Sequence, residues 1–222
     1  MMSAPNLVEG RIGEWMQVAS GGKFFPQDPR PEEINIDDIA NGLALTCRYG
    51  GQGDINKFYS VAEHSMLMAK YTFEHTIHPT LFLEGRKIKI LLTLVILLHD
   101  AAEAYVGDLI RSVKSAVRNT YGPLEDNIQS VILNKYGLFE AALNFSDEVK
   151  EIDNRIVVNE KSALFNSPLV WASDTLEPLP DVKIHCYDPP TAKKMWLNLF
   201  HKLMYSSELC NFDAGIAHVR ER

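Results

Sequence analysis

The 222-residue chain reads as an all-α protein, a single helical bundle with a short N-terminal β-hairpin, on three observations. Apolar residues recur at helical spacing in segment after segment from Ile36 onward. Several of those segments open on Ser, Asp or Pro and close near Gly, the punctuation expected of helix ends. Only Trp15 to Val18 and Lys23 to Phe25, flanking Ser20-Gly21-Gly22, look like paired strands. Two strands alone are marginal, so this hairpin is expected to lie on something larger.

The elements follow in order. Pro26, Pro29 and Pro31 make an extended linker after the hairpin. Ile36, Ile39, Ala40, Leu43 and Cys47 share a helix face, and Gly50-Gly51 stops that helix just after Arg48. Ser60-Val61-Ala62-Glu63 is a capping-box pattern opening a helix to about Glu74. The segment from about Arg86 to Tyr105 is apolar nearly all round, which predicts a central buried helix stopping near Gly107. Pro123 suits the first turn of a helix running to Gly137. Ser146, with Asp147 and Glu148 behind it, opens a helix to about Phe165. Pro189-Pro190 opens the last long one, to about Tyr205, and Asp213 caps a short terminal helix. Residues 106–122 and 166–188 remain as long loops, a length that often carries function. The chain thus divides into an irregular and hairpin segment, 1–35, packed on a helical domain, 36–222.

Composition narrows the function classes. With 46% apolar and 23% charged residues the chain is globular rather than disordered. Twenty-two basic against 29 acidic side chains give −7, a balance that disfavours a nucleic-acid polymer as partner. A small phosphate ligand needs only two or three well-placed cations and stays open. Cys47, Cys186 and Cys210 are odd in number and form no CxxC pair, so we expect reduced thiols in a cytoplasmic protein. The first thirty residues carry no apolar run of the signal-peptide kind. The longest apolar stretch, Ile90 to Leu98, is far short of the roughly 20 residues of a membrane span.

Chemistry concentrates at a few positions. His99-Asp100 ends the apolar run, and His64 falls in the first turn of its helix. Polar groups at the end of a buried helix need partners. A divalent cation takes imidazole and carboxylate together. Glu103 lies four residues from His99 and three from Asp100, so it shares their helix face and sits where it can take a proton from a metal-bound water. The bland alternative is a hydrogen-bonded core histidine. Asp153 adds weight, because it projects from the apolar side of its helix among Val149, Ile152 and Val157. A carboxylate there is costly unless paired. Lys150 and Arg155, its nearest cations in sequence, point elsewhere on the helix.

Taken together, these residues resemble the HD-domain metal-dependent phosphohydrolases. His64, His99-Asp100 and Asp153 match the H…HD…D pattern. Cys47-Arg48-Tyr49, the run Phe58 to Ser65, Leu97 to Tyr105, Gly107-Asp108-Leu109, Phe25 to Arg30 and Glu177 to Pro180 are similar to the branch of bacterial 5′-deoxynucleotidases and phage dATP triphosphohydrolases. The similarity covers roughly residues 15–205. It implies one divalent ion (Mn, Co, Ni, Fe or Zn) held by His64, His99, Asp100 and Asp153. Glu103 would act as acid and base on the attacking water, and Asp108 would assist it. Arg48 would bind phosphate, Tyr49 would sit near sugar or base, and Lys114 would contact further phosphates. The implied substrate is a small nucleotide, foremost a deoxynucleoside 5′-monophosphate. A triphosphate releasing tripolyphosphate is the alternative, and a non-catalytic nucleotide-sensing module a weaker one. Relatives form dimers or larger rings, so a homo-oligomer is implied. The sequence departs at Ile110-Arg111-Ser112, where relatives often carry prolines, and at Tyr49, where they commonly carry Trp or Phe. No histidine falls between Asp100 and Asp153, which favours a mononuclear site.

Overall fold

The computed structural model describes residues 10–76, 83–166 and 168–206. Cys210 and the expected Asp213 cap lie outside them. The protein is all-α with one small hairpin. Strands β1 (Met16–Gln17) and β2 (Lys23–Phe24) pair antiparallel, Met16 opposite Phe24. Phe24 stacks on Tyr105 with ring centroids 3.9 Å apart, so the hairpin contributes to the core. A single 3-10 turn, Pro31–Glu33, leads into the helices.

Helix α1 (Ile36–Leu45) is capped by Asn35, whose side chain accepts from the Asp37 amide. It ends at Thr46, earlier than the glycine stop predicted. The reason is a strand-like bridge between Cys47 and Ser60, in which the Arg48 amide donates to the Tyr59 carbonyl and the Val61 amide to that of Thr46. Residues Arg48–Gly51 then form a tight turn with positive φ at Tyr49 (58°) and Gly50 (60°). Ser60 caps α2 (Val61–His75), its hydroxyl accepting from the Glu63 amide. The box is half-formed. The Glu63 carboxylate turns away and accepts from the amides of His185, Cys186 and Tyr187, pinning a loop whose Cys186 has a φ of 57°.

The apolar run does not form one helix. It splits into α3 (Leu83–Leu97) and the single turn α4 (Glu103–Val106), with His99-Asp100 in the turn between them. The 106–122 stretch is largely helical, as α5 (Arg111–Ala116) and the start of α6 (Arg118–Lys135). Pro123 therefore lies inside α6. The helical bond it cannot make falls on exposed Asn119, where water can replace it. A short α7 (Phe139–Asn144) precedes α8 (Ser146–Leu164), whose first residue is Ser146. Residues 168–188 are irregular apart from a 3-10 turn, Ala172–Thr175. Asp188 caps α9 (Pro189–Met204), with proline at its start as expected.

Helix α2 packs along α3, and α1 along α9 and α4. Trp196, Met66, Leu94 and Leu97 are fully buried between them. No described helix is long and apolar enough to cross a membrane. At Gly42, α1 lies so close to α4 that a Cβ would fall 2.5 Å from the Ala104 carbonyl oxygen and 2.8 Å from its Cα. Gly42→Ala gains about 1 kcal/mol of helix propensity. It also forces apart two backbones that no rotamer change can relieve, which costs about 1–3 kcal/mol or more. We expect the clash to win: urea unfolding should show a lower midpoint, and a raised one would mean α4 yields freely.

Candidate metal centre

The site starts from two buried imidazoles. His64 is fully buried on α2, and its Nδ1 lies 2.6 Å from Glu160 Oε1 of α8. His99 Nδ1 lies 2.7 Å from the Ile96 carbonyl oxygen. Both partners only accept, so both Nδ1 atoms carry hydrogen and both Nε2 atoms face inward. Neither Nε2 has a hydrogen-bond partner, although both are buried. Asp100 Oδ2 lies 3.0 Å from His99 Nε2 and 3.7 Å from His64 Nε2. His64, His99 and Asp100 thus bring ligand atoms close enough for one ion to bind all three. Two unpartnered buried nitrogens beside a carboxylate are the donor set a divalent cation takes. The residues fit a metal ion, and they do not name it.

Asp153 Oδ1 lies 3.3 Å from His64 Nε2, on the far side of that ring from Glu160. It stands next to the three-residue group without being part of it. Burial opposes ionisation of Asp100, but His99, His64 and Arg48 outweigh it and hold the carboxyl well below its usual range. Asp153 is likewise held down, against burial, by His64 and His99. Burial and Arg48 press the His64 proton off, yet Glu160 and Asp153 keep its pKa up at about 9.

A tertiary clamp places His99 and Asp100. Gln129 of α6 donates from Nε2 to the Leu98 carbonyl at 2.7 Å, and its Oε1 accepts from the Ala102 amide at 3.0 Å. One side-chain amide replaces the ladder bonds that a continuous helix would have made. The chain is then free to turn and present both ligands. Gln129→Leu fills similar space but leaves the Ala102 amide without its acceptor, a cost of about 1–3 kcal/mol, and leaves the Leu98 carbonyl only the Ala101 amide. We expect a drop in thermal midpoint together with weaker metal binding; a drop in midpoint alone would detach the clamp from the ligands.

The group opens on a cavity of about 610 Å³ lined by Asp100, Asp153, Glu103, Asp108, Arg48, Tyr49 and Lys114. Every sequence-predicted residue except the two histidines reaches this wall, and the histidines stand behind it. Glu103 is 5% exposed, and its Oε2 has no partner. Burial, then Asp100 and Asp108, push its carboxyl well above the usual range. Burial also raises Asp108. Arg48 sits between Asp100 (3.6 Å) and Glu160 (3.4 Å). Lys114 is ion-paired with Glu125 at 2.7 Å. Arg111 is exposed and also lines the cavity, 3.3 Å from Asn154. His75, His185 and His201 are not in the metal group and pack against Tyr71, Tyr187 and Tyr205.

Two features escaped the sequence. Glu160 of α8 is fully buried, accepts from the Tyr49 and Tyr59 hydroxyls and from His64 Nδ1, and ion-pairs with Arg48. The turn after Trp171 closes the cavity with Trp171 and Ser173, whose buried hydroxyl has no partner. Trp171 packs with Tyr49 and Phe165, with centroids 5.9 and 5.1 Å away. Asp174 holds that turn by accepting from the Trp171 amide at 2.8 Å and pairing with Lys161 of α8. The length of the loop was its signal.

No family model matches the chain. It is similar to an uncharacterized protein of Rhodobacter capsulatus, 37% identical over 124 residues. It is also similar to the uncharacterized protein YfdR of Escherichia coli, 32% identical over 124 residues. Each alignment covers 56% of this chain and 59% of the relative. The chain spans about three fifths of the length of these curated relatives.

Proposed function

We propose that the chain is an HD-type, metal-dependent phosphohydrolase of deoxynucleotides, acting foremost on deoxynucleoside 5′-monophosphates. One observation carries this reading: the buried, unpartnered Nε2 atoms of His64 and His99 stand beside Asp100, which lines the same cavity as Glu103 and Arg48. An ion bound there supplies a water of lowered pKa and screens phosphoryl charge. The protein does the rest. Arg48 offers a planar fork to two phosphate oxygens. Glu103, raised toward neutrality, exchanges a proton with the attacking water, with Asp108 beside it. Tyr49 and Trp171 give the cavity an aromatic wall for a flat base. The volume falls within the roughly 300–1,000 Å³ of small-molecule sites.

Lys114 on the same wall favours a second reading, a triphosphohydrolase. Its pairing with Glu125 must then loosen to reach a phosphate. The test is a panel of deoxynucleoside mono- and triphosphates with manganese or cobalt, read by product chromatography. Inorganic phosphate from dAMP supports the first reading and tripolyphosphate from dATP the second. Metal-loaded protein that turns over neither class sinks both.

Metal affinity should depend on pH with a definite sign. His64 keeps its proton up to about pH 9, so an ion must displace it at neutrality. Affinity is expected to rise about tenfold from pH 6.5 to 7.5, because one proton leaves per ion bound. Calorimetric titration in buffers of different ionisation enthalpy counts that proton directly; no release would mean that His64 is already neutral.

A further inference from the structure

We propose that Glu160 is the positioning residue of this site: one buried carboxylate selects the His64 nitrogen that faces the metal and sets where Arg48 stands. The inference rests on the metal-site reading above and extends it beyond the ligands. Glu160 is fully buried on α8. Its Oε1 accepts from His64 Nδ1 at 2.6 Å and from the Tyr59 hydroxyl at 2.9 Å. Arg48 Nε stands 3.4 Å from the same oxygen. The Tyr49 hydroxyl donates to Oε2.

These three donors and the arginine come from the bridge and turn at Arg48-Tyr49, from Tyr59, and from the first turn of α2. All are therefore tied to one point on α8. A carboxylate accepts and never donates, so it admits only the His64 tautomer with hydrogen on Nδ1. That leaves the Nε2 lone pair for a metal, the arrangement found when an outer carboxylate orients a ligating histidine. Arg48 shares the oxygen, so its guanidinium is held within 3.6 Å of the ligand Asp100 at the cavity wall. Stability alone gives little reason for the arrangement. A buried ion pair is often no better than apolar packing of equal volume. Two tyrosine hydroxyls spent on a single carboxylate make sense if its position matters.

The test compares wild type and Glu160→Gln by zinc titration, with thermal midpoints of the chelator-treated proteins alongside. The amide keeps the volume but can donate as well as accept, so the tautomer is no longer dictated. Zinc affinity is expected to fall about 10–100-fold. In the zinc-loaded protein, nitrogen-15 spectra should show the His64 Nδ1 proton in wild type and its loss or exchange broadening in the variant. Equal affinity and an unchanged His64 signal overturn the proposal, as does a wild type that binds no zinc. If wild type binds zinc yet hydrolyses no nucleotide, the phosphohydrolase reading fails while the affinity difference still supports Glu160. Should the glutamine variant not fold, Glu160→Asp keeps the charge and withdraws it by one methylene. It should weaken zinc about tenfold, and an unchanged affinity overturns the proposal there too.

Discussion

Glu103→Gln is expected to cut turnover about 10²–10⁴-fold, the range for loss of a general acid–base group, while metal affinity holds and the protein becomes more stable. The three outcomes belong together. Glu103 is buried beside Asp100 and Asp108, and its Oε2 is unpartnered. A carboxyl whose folded pKa lies above its ordinary 4.5 costs stability once the pH rises past 4.5, because the unfolded chain ionises more readily. The amide carries no such cost. The variant should therefore melt higher than wild type at pH 7.5, and the gap should close near pH 4. A residue kept for structure would behave in the opposite way, since its loss lowers the midpoint. Stability bought at the expense of turnover is the signature of a strained functional group. Unchanged turnover would remove Glu103 from the chemistry.

The contrast between what was legible and what was not runs along the range of the interactions. Ser60, Pro189 and the Ser20-Gly21-Gly22 hairpin act on neighbours in sequence, and their elements begin where the sequence places them. The site residues were legible as residue types, since histidine and aspartate at the end of an apolar run lack any comfortable unbound role. Their geometry was not. Leu98 to Glu103 is alanine-rich and helix-favouring, and nothing local says that the chain turns there. The turn depends on Gln129, about thirty residues later, whose amide stands in for the lost ladder. Likewise Glu160 is one acid among many on α8 until Arg48, Tyr49, Tyr59 and His64 converge on it. The helical content of 106–122 runs against the preference of proline for a first turn: the bond Pro123 cannot make falls on exposed Asn119, which makes proline tolerable inside α6.

Asp153→Ala is expected to weaken metal binding by more than the roughly 10–100-fold that losing an outer-shell partner costs. The case needs argument, because His64, His99 and Asp100 already bring three ligand atoms together without it. Two imidazoles and one carboxylate leave a dication with a net positive charge and fewer than the four ligands of even the smallest common coordination shell. Asp153 stands where it can supply both deficits. Its Oδ1 is 3.3 Å from His64 Nε2, and it stays ionised against burial. Its ion-pair partner is His64, whose proton a bound ion would displace. With that proton gone, an ionised, half-buried carboxylate would stand 3.3 Å from a neutral imidazole nitrogen at the cavity wall, a position that a cation stabilises. His99→Ala provides the reference, since it deletes an undoubted member of the group. If Asp153→Ala loses as much affinity as His99→Ala, the carboxylate ligates. If it falls only to the Glu160→Gln level, Asp153 supports His64 from outside the shell. Full retention of stoichiometric metal would leave a three-residue site completed by water, and would send the search for the fourth ligand to Asp108 across the same cavity.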